Sequence, residues 1–284
     1  MRVPGRKRLT VGGVGHDGLM YREYRPPLPL GDIVRCLWSA RIQGSFPIVP
    51  DGCADLIVAG GQVFVAGPDT TAWRSTLASG TVLHGARFRP GHAPNVLGTA
   101  ASDLRDRRVT LDELWGRRGR EAAERLLAAP SALPAVVLDA ARREAGDTGG
   151  RADPRMELLL ARLDSGVSRV GEAAHDLGLG QRQLRRRFTE AVGYGPATYL
   201  RVARLQRALT VAPRVADLSA LAAESGYADQ AHLSRDCRDL TGLAASEYFV
   251  LGGRCPQEAT VVARRGPARS SARGALPVAE PDVR

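Results

Sequence analysis

The spacing of apolar residues changes along this chain, from a period of two to a period between three and four. Over residues 33–88 the pattern predicts β-strands. Residues 33–42 mix β-branched and aromatic side chains, and 46–49 form a short apolar run stopped by Pro50. Leu56-Ile-Val-Ala and Gln62-Val-Phe-Val-Ala flank Gly60-Gly61, a pair suited to a tight hairpin because both residues tolerate positive φ. Residues 82–88 read as another strand, closed by the turn Arg89-Pro90-Gly91-His92. The period then lengthens, predicting helices over 111–115, 121–128 and 132–145. Gly146-Asp-Thr-Gly-Gly150 reads as a linker. Beyond it, helical patterns with short glycine-containing breaks run from 153 to 250, opened by Asp153-Pro154 as N-cap and first helical residue.

Two stretches of this helical region share one design. In the first, Val170, Ala173, Ala174 and Leu177 form an apolar face. Gly178-Leu179-Gly180 turns the chain, and a second helix from Gln181 turns Leu184 and Phe188 inward at i and i+4. Its outward positions are Gln181, Arg182, Gln183, Arg185, Arg186 and Arg187. In the second, Leu218, Leu221 and Ala222 line one helix and Ser225-Gly226-Tyr227 makes the turn. Asp229 caps the next helix, Leu233 and Cys237 point inward, and Gln230, Ser234 and Arg235 point outward. Two short helices around a glycine turn match the helix-turn-helix pattern, whose second helix enters the DNA major groove. Two copies joined by a helix carry far more weight than one.

Charge sharpens this picture only once it is placed. The formal charge is +10 and the pI about 10.3, but Lys7 is the single lysine among 40 basic residues, a skew that follows GC-rich coding. Residues 151–250 hold 14 arginines against 12 acids, close to balance. Between Gln181 and Arg207, however, seven arginines (182, 185, 186, 187, 201, 204, 207) face only Glu190. Such a concentration is what a phosphate-contacting surface requires.

With these residues in view, the segment LGLGQRQLRRRF…GYGPATYLRVARLQRA…LAAESGYADQAHLSRDC…TG…EY resembles the DNA-binding domain of AraC/XylS-type transcription regulators. The match takes in Gly193, Pro196, Tyr199, Arg204-Leu205, Gly226-Tyr227, Thr241-Gly242 and Tyr248. The resemblance implies a sequence-specific double-stranded DNA binder with a connecting helix over about 196–212. That helix holds two recognition helices about one DNA turn apart. Base readout is then expected from Gln181, Arg182, Arg185 and Arg186 in the first unit and Gln230, Ser234 and Arg235 in the second. Arg forks onto guanine and Gln onto adenine. Three positions depart from the family pattern: Gly180 replaces a Ser N-cap, Cys237 a Phe, and Ala245 a Pro. The expected consequence is a less rigid second unit.

Residues 21–143 resemble a recurring N-terminal sensor domain of AraC-like regulators, on YREYRPP, PDGCADLIV (50–58), AGPDT (66–70), GARFRPG (85–91) and LDELWG. The expected architecture is α+β: a β-rich, cupin-like barrel with trailing helices over 20–146, a linker over 147–152, and an all-α DNA-binding domain over 153–250. Residues 1–19 and 251–284 are expected to be disordered. Met20 also fits as a translation start. The resemblance leaves room for a small-molecule effector at the N-terminal domain, a homodimer and RNA polymerase as further partners.

No apolar run reaches the roughly 18 residues of a membrane span, and no signal peptide is read, so the expected location is the cytoplasm. Neither a catalytic residue nor a metal or cofactor is expected. A metal reading of His84 and His92 with Asp51, Cys53 and Asp55 rests on residue type alone. Cys36, Cys53, Cys237 and Cys255 read as ordinary reduced thiols. The competing reading is an alkyl-transfer regulator using Cys53, which sits in a Pro-Asp-Gly turn. That chemistry needs a zinc-held thiolate, and only Cys36 and Cys53 fall in this domain.

Overall fold

The computed structural model describes residues 19–44, 47–148, 153–167 and 169–251. Residues 1–18 and 252–284 of the segments expected to be disordered, 149–152 of the linker, and Cys255 lie outside the described residues; Leu19 instead opens the first strand, and Gly146, Asp147 and Thr148 of the expected linker continue a helix.

The N-terminal part is built on β1 (Leu19–Tyr24), β2 (Val34–Ile42), β3 (Pro47–Ile48), β4 (Asp55–Ala59), β5 (Gln62–Ala66), β6 (Trp73–Arg74), β7 (Val82–Phe88) and β8 (Arg108–Thr110). Six strands form one antiparallel sheet in the order β1-β2-β7-β4-β5-β8, and β3 pairs with β6 as a separate ribbon. The β4–β5 hairpin has the two-residue turn expected from its sequence. Ala59 pairs with Gln62, and Gly60 and Gly61 have φ of 57° and 76°. That conformation matches the twist of the flanking strands.

Both faces of the sheet are covered. On one, Leu56, Val58, Val65, Ala86 and Phe88 pack against Leu97, Leu104, Leu126 and Val137. These come from α1 (Pro94–Leu97), α2 (Ala101–Leu104), α4 (Arg117–Ala128) and α5 (Leu133–Thr148), with α3 (Leu111–Trp115) alongside. On the other face Cys36, Trp38, Ala40, Ile57 and Phe64 form a smaller core. All five residues of β4 are therefore buried, and after Asp55 it reads as a continuous apolar run, Leu-Ile-Val-Ala, instead of alternating.

The C-terminal part is all helix: α6 (Pro154–Asp164), α7 (Val170–Ala174), α8 (Gln181–Val192), α9 (Pro196–Val211), α10 (Leu218–Ser225), α11 (Gln230–Thr241) and α12 (Ala245–Tyr248). One core joins them, centred on Leu159, Leu163, Phe188, Leu205, Leu221 and Leu233. No described helix is long and apolar enough to cross a membrane.

Several elements differ from the sequence reading. β6, β8, α1 and α2 carry too few residues to show a period, and β1, Leu-Met-Tyr-Arg-Glu-Tyr, does not alternate apolar with polar residues. α4 begins four residues before the expected start because its first turn, Arg-Arg-Gly-Arg, is polar. α7 stops at Ala174, so the connection to α8 spans six residues and not three.

Candidate nucleic-acid interface

The early end of α7 has a cause in α6. The Arg162 guanidinium donates to the carbonyls of Ala173 and His175, both at 3.0 Å, and meets Asp176 at 3.3 Å. A cation at a helix C-terminus satisfies carbonyls that another turn would otherwise use. Asp176 and Gly178 then take positive φ of 66° and 63°, and Leu177 is buried beyond the helix. α8 starts after Gly180, which has extended backbone and offers no side-chain cap.

Along α8 the inward and outward positions fall as the sequence predicts at every position but Arg187. Leu184, Phe188 and Val192 are buried, while Gln181, Arg182, Gln183, Arg185 and Arg186 are exposed. Arg186 is bonded to Glu190 one turn on, at 3.2 Å. Among the described residues, Arg182 and Arg185 have no bonded partner. Arg187 is turned away from this face. It is half-buried and pairs with Asp153, the N-cap of α6, at 3.0 Å.

The second unit is more firmly capped. The carboxylate of Asp217 accepts from the Ala220 amide at 2.8 Å, and Asp229 from the His232 amide at 2.6 Å. Gly226 closes α10 in the left-handed region. Leu233 and Cys237 are fully buried, and Thr241 Oγ1 donates to the Cys237 carbonyl, so the smaller thiol leaves the helix well held. The outward side of α11 presents Gln230 and Arg235 exposed and Ser234 half-buried. The Gln230 amide oxygen accepts from Ser219 of α10 at 3.1 Å.

The arginines of α9, counted above toward a phosphate surface, do other work. Arg201 bonds Asp236 and Asp239 of α11, each at 2.7 Å. The Arg204 guanidinium lies 5.9 Å from the Tyr227 ring centroid. Arg207 donates to the carbonyl of Ser225 at the end of α10 and to those of Leu163 and Asp164 at the end of α6. Guanidinium groups thus fasten the connecting helix to the second unit and to α6. Of the seven arginines, the outward surface keeps Arg182, Arg185 and Arg186.

Cys53 is buried, and burial first, then Asp51, pushes its thiol well above the usual range. A reactive thiol needs the opposite shift. Cys36, also buried, is pushed up to about 12. Among the described residues, no three His, Cys, Asp or Glu side chains are grouped to hold a metal. Arg87 bridges Asp51 and Asp55, both at 3.1 Å, and His92 faces Glu157 at 3.7 Å.

Residues 173–250 match the family model of a helix-turn-helix domain, and residues 22–110 match that of a domain of unknown function, DUF6597. No curated protein matches by sequence. Among solved structures, ToxT from Vibrio cholerae at 1.65 Å resolution is similar at 10% identity and a TM-score of 0.41, over 81% of this chain and 97% of that one. ToxT from strain O395 is similar at 11% identity and a TM-score of 0.39, over 82% and 97%. Wild-type ToxT with bound unsaturated fatty acid follows at 9% and 0.38, over 86% and 96%.

Proposed function

We propose that this chain is an AraC-type DNA-binding transcription regulator whose α8 and α11 enter two successive major-groove segments on one face of the duplex, a reading supported by the match of residues 173–250 to a helix-turn-helix domain. Residues 153–250 form the reader and 20–146 the domain that modulates it. The observation that carries this reading is the sorting of arginines. Those of α9 are consumed internally, while Arg182 and Arg185 stand on the outward face of α8 unpaired among the described residues. Arg182, Arg185 and Arg186 read guanine edges, with Gln181 beside them. Gln230, Ser234 and Arg235 read the second segment.

Selection of bound duplexes from a random pool tests this. The full chain is expected to enrich a bipartite sequence. Arg186→Ala should cost roughly 1–3 kcal/mol and relax preference within one half of the site. An equal loss on all sequences would make Arg186 a phosphate contact instead.

Modulation by a small molecule has a specific candidate location. A cleft of about 390 Å³ lies between the turn after β7 and helices α6 and α8, lined by His92, Asn95, Met156, Leu160, Arg187 and Glu190 among others. Arg187 and Glu190 belong to α8, so an occupant would touch the first recognition helix from behind. Thermal shift against a metabolite panel reads such binding as raised stability. The alkyl-transfer alternative has no support in the geometry, given the buried, up-shifted Cys53 thiol.

A further inference from the structure

Two motifs of the N-terminal part, PDGCADLIV and AGPDT, remain without a role in DNA binding. Both meet the helical domain. At the first, the Gln206 side-chain amide of α9 donates to the Pro50 carbonyl at 2.7 Å. Gly52, with φ of 81°, lies so close to α9 that an added Cβ would stand 2.8 Å from the Tyr199 ring and 3.7 Å from the Tyr194 hydroxyl. Just past the second, the Ala72 amide donates to the Leu240 carbonyl of α11 at 2.8 Å. Pro68 packs on Gly193, the left-handed residue closing α8, where an added Cβ would collide with the proline ring.

Both loops are stiffened from within their own domain. Asp51 accepts from the Cys53 amide at 3.0 Å and meets Arg87, which also holds Asp55. Trp38 Nε1 donates to Asp55 at 2.6 Å. In the second loop Asp69 receives both ends of the Arg108 guanidinium, at 2.6 and 2.7 Å, and that guanidinium stacks 3.9 Å from the Trp73 ring centroid. Asp106 accepts from the Thr70 amide at 2.7 Å. Bidentate and doubly bonded carboxylates of this kind hold a loop in one geometry.

The contacts reach the end of the first unit (Gly193), the connecting helix (Tyr199, Gln206) and the end of the second recognition helix (Leu240). They leave Gln181, Arg182, Arg185 and Arg186 exposed. We propose that the two loops form a docking surface whose partner is the chain's own DNA-binding domain. By bridging the two units, the surface sets the position of α8 relative to α11 and so the half-site spacing the chain accepts. Its consequence for DNA rests on the two-groove reading above.

The test uses the full chain with Gln206→Leu, which removes the donor to Pro50 while keeping side-chain volume, and Gly52→Val, which forces the loop off Tyr199. Hydrogen exchange in residues 50–54 and 67–73 reads docking. Affinity for the selected operator, and for versions with one base pair added or removed between half-sites, reads geometry. Each base pair turns one half-site by about 34° relative to the other. Faster exchange in both loops is expected, with spacing discrimination falling about tenfold, inside the usual range of site-to-site coupling. Faster exchange with discrimination intact overturns the proposal, and so does unchanged exchange in Gln206→Leu. If Gly52→Val does not fold, Gln206→Leu decides alone. A wild-type chain with no sequence preference would refute the DNA reading instead, and loop exchange would still report the docking.

Discussion

The two helix-turn-helix units share a plan and differ in what holds them. The first is thinly capped: Arg169 and Gly180 give α7 and α8 no side-chain cap, and Asp176 sits in the left-handed region. Its recognition helix nevertheless carries Arg182, Arg185 and Arg186 outward. The second has an aspartate cap on each helix and a fully buried inner face. Its recognition helix is electrically even, with Arg235 and Arg238 against Asp236 and Asp239. Charge and capping are thus divided between the units. The first presents exposed guanidinium groups, and the second a pair of capped helices bonded to α9. Of the departures from the family pattern, Cys237 is fully buried and its carbonyl accepts from Thr241 Oγ1, whereas Gly180 leaves α8 without a side-chain cap.

Substitutions that separate fastening from reading sharpen this division. Arg201→Ala has the largest expected effect on the fold, about 1–3 kcal/mol of stability, because it leaves the buried carboxylate of Asp236 without its cation. Urea denaturation reads that loss. The dependence of DNA affinity on salt should stay unchanged, since no phosphate contact is removed; a shallower salt slope would return Arg201 to the DNA surface. Asp229→Ala comes next. Losing the bond to the His232 amide should cost about 1 kcal/mol and raise hydrogen exchange at the start of α11 first. Gly180→Ser is the smallest and the most pointed. It should stabilise the first unit by a few tenths of a kcal/mol by supplying the missing cap, seen as slower exchange in the first turn of α8.

What could be read from sequence was local. Helix period, the Gly60-Gly61 turn, the Asp153 and Asp229 caps and the inward pairs Leu184/Phe188 and Leu233/Cys237 depend on residues a few positions apart. The fate of the arginines does not. Arg187 meets Asp153, Arg201 meets Asp236, and Arg207 meets carbonyls of two other helices, across separations that carry no periodic trace. A count of arginines therefore overstated the DNA surface. The docking loops were visible as motifs, and Gly52 as a turn residue, but their partners Tyr199, Gln206 and Leu240 lie in the other half of the chain.

Hydroxyl-radical footprinting of the full chain on its selected operator tests the central claim most directly. Two protected patches about one helical turn apart on one face of the duplex are expected, one lost with Arg185→Ala and the other with Arg235→Ala. A single patch, or protection that ignores Arg235→Ala, would contradict a reader built from two units.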